Sequence, residues 1–249
     1  MNIENYLKRI QYSGDRTPTL AVLKQLQKQH LLHVPFENLD IHYNTPITLQ
    51  IDRIYNKVVH NNRGGFCFEL NGLFFELLTA LQFNAKRISA RVYDKTGYGE
   101  EFDHFAIIVK IGTTDYLCDV GFGDFSFEPL LIEPNTLQND VRGTFLIDNY
   151  DSHYLRVNKV ENENSTPKYI FTTDSREFTD FQAMCTYHQT SPDSHFTQKR
   201  LISLPTTDGR RTITGDTLKI TASGTTTETI IKNEKEFRQY LRDLFNFKD

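Results

Sequence analysis

The 249-residue chain contains no tryptophan, two methionines and three cysteines. Cys67, Cys118 and Cys185 form no C-x-x-C pair, and their odd number argues against a disulfide scaffold. They are expected to be free thiols in a reducing cytosol, which predicts a cytoplasmic protein. No run approaches the roughly 18 apolar residues that span a bilayer. The start, Met1-Asn2-Ile3-Glu4-Asn5-Tyr6-Leu7, is polar and carries an acid, unlike a secretion signal. An excess of positive charge is also missing: 28 Lys and Arg stand against 32 Asp and Glu, a net charge of −4. A dedicated nucleic-acid binder would be basic. His30 and His33 lie three apart with no further ligand cluster, so no metal site is expected. There is no repeat of solenoid period. With tryptophan absent, aromatic pockets must be built from the 19 Phe and 12 Tyr.

The patterning changes twice along the chain. Up to about residue 84 it is helical. Thr17-Pro18 reads as a cap with proline in the first turn, followed by Leu20, Leu23 and Leu26. Asp52 is placed to cap a helix carrying Ile54, Tyr55, Val58 and Val59, and a very apolar helix starts at Cys67 and runs to Leu81. From Ala85 the period shortens. Ala85 to Tyr93, His104 to Ile111, Tyr116 to Val120, Gly143 to Ile147, Tyr154 to Val157 and Tyr169 to Thr173 read as strands of an antiparallel sheet or partly closed barrel. Asn158 to Lys168 reads as a polar loop. Near the C-terminus, short Thr-rich strands precede an amphipathic helix over Asn233 to Phe247. The expected class is α+β, with a helical bundle over 1–84, a β-barrel over 85–190 and an α/β lid over 191–249.

The chemistry centres on Asn61-Asn62-Arg63-Gly64-Gly65-Phe66-Cys67-Phe68-Glu69-Leu70-Asn71. Two glycines end a loop and put Cys67 in the first turn of a helix. A helix N-terminus carries about half a positive charge, which favours a thiolate and predicts a Cys67 pKa below the ordinary value of about 8.5. Arg63 and Glu69 flank the cysteine with opposite charges and are read as an ion pair supporting the loop. A nucleophilic cysteine needs a base and a group to orient that base. His104 opens one apolar strand and Asp119 closes the next, across the turn Gly112-Thr113-Thr114-Asp115. A turn centred at Ile111-Gly112 makes them direct cross-strand neighbours, and one centred at Thr113-Thr114 makes them meet diagonally; the register is open at this stage. Cys118, inside an apolar strand, and Cys185 are read as structural thiols.

Arg63 to Asn71 resembles the signature of the arylamine N-acetyltransferases. Three further blocks resemble that family in the same order: Val34-Pro35-Phe36-Glu37-Asn38-Leu39, Asp119-Val120-Gly121-Phe122-Gly123 and Ser191-Pro192-Asp193-Ser194-His195-Phe196. The resemblance covers the chain to about residue 200 and weakens beyond it. It implies the bundle, barrel and lid fold, with a cysteine-protease-like Cys-His-Asp arrangement. Cys67 would carry the acetyl group, His104 would act as its base and Asp119 would orient the histidine. Acetyl-CoA would be the co-substrate of a ping-pong transfer to an arylamine, hydrazine or arylhydroxylamine. Phe36, Phe122 and Phe196 would line the acceptor slot, and Gly121 and Gly123 would let CoA approach. The expected partners are small molecules, without nucleic acid or membrane, and a monomer or homodimer is expected. The rivals are a cysteine hydrolase or transglutaminase-like enzyme, which uses the same residue order, and an inactive binding homologue.

Overall fold

The computed structural model describes residues 1–162 and 164–248. Its N-terminal part is α1 (Ile3–Arg9), α2 (Leu20–His33), the short strand β1 (Phe36–Glu37), α3 (Leu39–His42), α4 (Ile51–Tyr55) extended by a π-turn over Asn56–His60, and α5 (Cys67–Ala80). The cap of α2 is Thr19, not Thr17: the Thr19 hydroxyl accepts the Val22 N–H at 3.3 Å. The Thr17 hydroxyl donates instead to Asp15. Helix α4 begins after Gln50, so Asp52 lies in its first turn rather than at its cap. α5 is apolar on nearly every side because it is the central element of the helical core: Phe68, Leu70, Leu73, Phe74, Leu77 and Leu78 are all fully buried.

His30 of α2 is also fully buried, with Nδ1 3.0 Å from the Tyr6 hydroxyl and its ring edge-on to Phe74. Burial depresses its pKa from 6.5 to about 3. The unfolded chain therefore binds a proton below pH 6.5 that the folded chain refuses, and stability present above that pH is lost as pH falls. By about pH 5 the loss is about 2 kcal/mol. Thermal unfolding at neutral and acid pH should show it, and His30→Phe should flatten the acid limb. An unchanged acid limb in that variant would contradict the assignment.

The main sheet consists of β2 (Asn84–Asp94), β3 (Gly97–Tyr98), β4 (His104–Ile111), β5 (Thr114–Cys118), β6 (Leu130–Leu131), β7 (Thr136–Asp140), β8 (Gly143–Asn149), β9 (Leu155–Glu161) and β10 (Asn164–Phe171). The antiparallel order β6-β5-β4-β2-β10-β9-β8-β7, with β3 on the end of β2, curls into a nearly closed barrel. Its edges meet through a side chain: the Gln138 amide of β7 accepts from Leu131 N and donates to Leu131 O of β6, at 2.6 and 2.9 Å. A side-chain amide thus stands in for the missing backbone rung. The run Phe105 to Val109 is continuously apolar because β4 is covered on both faces. Ala106 and Ile108 point into the barrel with Ile88, Phe145, Ile147 and Val157, while Phe105, Ile107 and Val109 face the helical core.

The expected polar loop over Asn158 to Lys168 is instead hairpin: β9 and β10 pair from Asn164↔Glu161 through Phe171↔Leu155. Glu161, Asn162, Asn164, Ser165 and Thr166 are polar and exposed, so no apolar alternation marks the segment, and Glu163 lies outside the described residues. After a 3₁₀ turn (Phe178–Phe181) come α6 (Gln182–Thr190) and α7 (His195–Gln198). The meander β11 (Leu201–Thr206), β12 (Gly209–Thr214), β13 (Thr217–Ala222) and β14 (Thr225–Ile230) leads to α8 (Glu234–Phe245). β1 adds to the β11 edge, pairing Phe36↔Ser203 and Glu37↔Ile202. Asn233 caps α8 through the Glu236 N–H, and Phe237, Leu241 and Phe245 bury that helix against Ile202, Ile213 and Leu218.

Candidate active site

Cys67 is the first residue of α5 and only 4% exposed. The helix start is fixed on both sides. Glu69 Oε2 accepts the Phe66 N–H at 3.1 Å, and a Cβ on Gly64 would lie 1.9 Å from the Pro35 carbonyl oxygen. The helix therefore begins where only glycine lets the loop pass. Burial pushes the Cys67 thiol well above its ordinary value, and the Asp103 and Asp119 carboxylates push in the same direction. The adjacent Phe68 N–H pulls the other way and does not win. The expected depression by the helix terminus is thus overturned. Helix polarity is a local, modest term, whereas loss of water around a thiolate is larger.

His104 begins β4 and Asp119 follows β5, and both are buried. The hairpin pairs Ile107↔Cys118, Lys110↔Asp115 and Ile111↔Thr114, so the turn is Gly112-Thr113, with Gly112 at φ +62°. The register lies between the two alternatives. Extended by one pair, it sets Ala106 opposite Asp119, so His104 is offset by two residues. An even offset keeps both side chains on one face, within diagonal reach. His104 Nε2 lies 2.7 Å from Asp119 Oδ2. With Nε2 carrying the proton toward the carboxylate, Nδ1 holds the free lone pair.

Asp119 is fixed at both oxygens. Oδ2 also accepts from the Tyr169 hydroxyl at 3.1 Å, and Oδ1 accepts from Asn71 Nδ2 and from the Gly121 N–H, each at 2.9 Å. Asn71 donates to the Phe105 carbonyl as well and accepts the Val120 N–H at 2.8 Å. This side chain locks α5 to the loop bearing Asp119. Asn71 and Tyr169 were not singled out from sequence. Asn71 carried a signal: it lies four residues after Cys67, on the same helix face, and is a polar side chain within an apolar helix. Tyr169 carried none, because its approach depends on β10 pairing with β2.

Cys67 and His104 open into one cleft of about 860 Å³, which Phe36, Phe122, Phe196, Gly121 and Gly123 also line. Every residue expected in the site is therefore gathered there, with Asp119 directly behind His104. Phe36 and Phe196 pack at 5.9 Å between ring centroids, and Phe122 lies edge-on to His104 at 5.4 Å. The two glycines differ. A Cβ on Gly121 would lie 2.8 Å from Cys67 Cα, whereas one on Gly123 would meet nothing within 4 Å. Gly121 is thus needed for packing whatever else it contacts.

Arg63 and Glu69 do not pair with each other. Arg63 bonds Glu37 and Asp40, each at 2.8 Å, while Glu69 is held by Lys57 at 2.9 Å. Lys57 also bonds Asp40 at 2.8 Å. The partners come from β1, α3 and the π-turn, 12 to 26 residues away. Burial raises the Glu69 pKa to about 7 despite Lys57. Lys57→Met would leave the buried Glu69 without its cation and Glu37 and Asp40 sharing Arg63, and a loss of about 3–5 kcal/mol is expected. A wild-type melting temperature in that variant would contradict this reading of the network.

Comparison with known proteins gives the family. A family model described as N-acetyltransferase matches residues 19–248. The chain is 32% identical to the pineal gland isozyme NAT-10 arylamine N-acetyltransferase of Gallus gallus, over 99% of this chain and 94% of that protein. It is 31% identical to arylamine N-acetyltransferase 1 of Homo sapiens at the same coverages. The structure of Mycobacterium marinum arylamine N-acetyltransferase in complex with CoA superposes with a TM-score of 0.90 at 28% identity, covering 99% of this chain and 93% of that one. The chain belongs to the arylamine N-acetyltransferase family and is an acyltransferase enzyme of that kind.

Proposed function

We propose that the protein moves an acetyl group from acetyl-CoA to an arylamine, hydrazine or arylhydroxylamine through an acetyl-Cys67 thioester, in two half-reactions at one cleft. The His104–Asp119 hydrogen bond, in a cleft shared with Cys67, carries this reading. Because the buried thiol resists ionisation, His104 takes its proton as the sulfur attacks the acetyl carbonyl. The CoA sulfur then leaves and takes up that proton. A thioester is exchanged for a thioester, so the step is nearly isoenergetic. In the second half-reaction the acceptor nitrogen attacks, its proton passes to His104, and the Cys67 sulfur leaves and is reprotonated. Each tetrahedral oxyanion needs N–H donors, and the Cys67 and Phe68 amides in the free first turn of α5 are the candidates.

Phe36, Phe122 and Phe196 form the acceptor walls in this proposal, and the exposed Gly123 beside Gly121 gives the pantetheine room. The C-terminal sheet and α8 serve as the lid. A cytoplasmic location fits three free cysteines, and no helix among the described residues is long and apolar enough to cross a membrane. The test is discharge of the acetylated enzyme. Aromatic amines and hydrazines should remove the acetyl group and yield amides. Cleavage of peptides or amides without an acetylated intermediate would favour the hydrolase alternative instead. A Cys67 no more reactive than Cys118 or Cys185 toward iodoacetamide would favour an inactive binding homologue.

A further inference from the structure

The cleft is unevenly charged. Among the described residues that line it there is no lysine or arginine, but there are four carboxylates, Asp94, Glu100, Asp103 and Asp193. Asp103 is the most constrained, with its side chain one-fifth exposed. His188 Nε2 lies 3.1 Å from Asp103 Oδ1, and the Val92 N–H donates to Oδ2 at 3.3 Å. His188 is itself fixed, being buried, with Nδ1 3.3 Å from Ser194 Oγ and its ring against Phe68 and Phe196. Both ring nitrogens are thereby engaged, so His188 holds the carboxylate and is not a base for substrate. Asp103 directly precedes His104 and lines the same cleft as Cys67, which puts its charge on the wall that the acceptor passes. Glu100 and Asp193 are exposed at the rim, and neither carboxylate is in an ion pair or side-chain hydrogen bond among the described residues. Asp94 Oδ1 accepts from the Thr96 hydroxyl and N–H at 2.6 and 2.7 Å, and Oδ2 has the exposed His195 ring at 3.9 Å.

We propose that Asp103, positioned by His188 and reinforced by Asp94, Glu100 and Asp193, makes the cleft select acceptors whose ring carries a positive charge over acceptors whose ring carries a carboxylate. The inference rests on the acetyl-transfer reading above and specifies its acceptor class. A cleft with one sign of charge and apolar aromatic walls focuses its field on whatever enters. An anionic ring is repelled on entry and a cationic ring is drawn in. The thiol end of CoA is uncharged and enters freely, while its phosphates must stay outside this wall. Neutralising one carboxylate within several ångströms of the ring should change selectivity by about tenfold.

The experiment uses three acceptors of one shape: para-aminobenzoate, para-aminobenzamide and para-aminobenzamidine. At about pH 8, where free imidazole is neutral, kcat/KM is measured for each with wild type, Asp103→Asn and the double variant Glu100→Gln/Asp193→Asn. Comparing enzymes cancels the intrinsic nucleophilicity of each amine. The amidine-to-benzoate ratio should fall about tenfold in Asp103→Asn and by a smaller factor in the double variant, with the amide between. Added salt should compress the wild-type ratio. If Asp103→Asn does not fold, the double variant, confined to exposed side chains, decides alone. Equal ratios in wild type and the folded variants would overturn the inference while leaving acetyl transfer intact. If no acceptor is acetylated by wild type, the parent reading fails and this one falls with it.

Discussion

Cys67→Ser should abolish acetyl transfer and leave the fold intact. The loss expected is about 10⁴-fold or more, as for removal of the nucleophile from other catalytic triads. The reason lies in the leaving group as much as in the attack. A cysteine exchanges one thioester for another and then departs readily when the amine adds. A serine would trade the thioester of CoA for an oxygen ester, a more stable species that amines attack slowly. Its hydroxyl is also harder to deprotonate than the thiol, whose ionisation burial already disfavours. The structural cost should be small, since sulfur to oxygen changes little volume at a site 4% exposed. Circular dichroism and melting temperature should match wild type. A serine enzyme that retained most of its activity would contradict a thioester intermediate.

Asp119→Asn should cost about 10⁴-fold in rate, the loss seen when a triad carboxylate becomes an amide. In wild type four donors converge on the carboxylate: His104 Nε2, the Tyr169 hydroxyl, Asn71 Nδ2 and the Gly121 N–H. An amide presents one acceptor oxygen and one NH₂ group, so it cannot satisfy all four. If its NH₂ faces His104, the imidazole must turn over its tautomer, carrying the proton on Nδ1 and losing the lone pair that would receive the Cys67 proton. If its oxygen faces His104, the NH₂ meets Asn71 and Gly121 donors instead. Either arrangement leaves buried donors unpaired, at about 1–3 kcal/mol. The variant should therefore both slow and melt earlier, and kcat/KM with unfolding curves separates the two effects. A rate within tenfold of wild type would remove Asp119 from the mechanism.

Much of the site was legible because its cues are local. Gly64-Gly65-Phe66-Cys67 announces a helix start, and the strand ends at His104 and Asp119 need only an even offset to share a face. The offset itself was not readable, since one residue at the Gly112-Thr113 turn decides it. The misread features are those set by tertiary structure. A cysteine at a helix end looks acidic until the packing of Phe66 and Phe68 around it removes the water. Arg63 and Glu69 look like partners until β1, α3 and the π-turn bring Glu37, Asp40 and Lys57 between them. The Gln138 closure of the barrel joins β6 to β7 through a side chain, which no strand pattern encodes. The β9–β10 hairpin reads as loop because Glu161, Asn162 and Asn164 to Thr166 are polar and exposed. Asn71 lies within the most distinctive motif, but its partners Phe105, Asp119 and Val120 are 34 to 49 residues away, so its role depends on the fold.

The central claim is that Cys67 itself carries the acyl group. Intact-protein mass spectrometry after incubation with acetyl-CoA alone, followed by peptide mapping, tests it most directly. The account predicts release of one CoA per chain and one acetyl group, located on Cys67 and absent from Cys118 and Cys185, that disappears when an aromatic amine is added. Acetylated amine formed with no acetyl group ever found on Cys67 would contradict it.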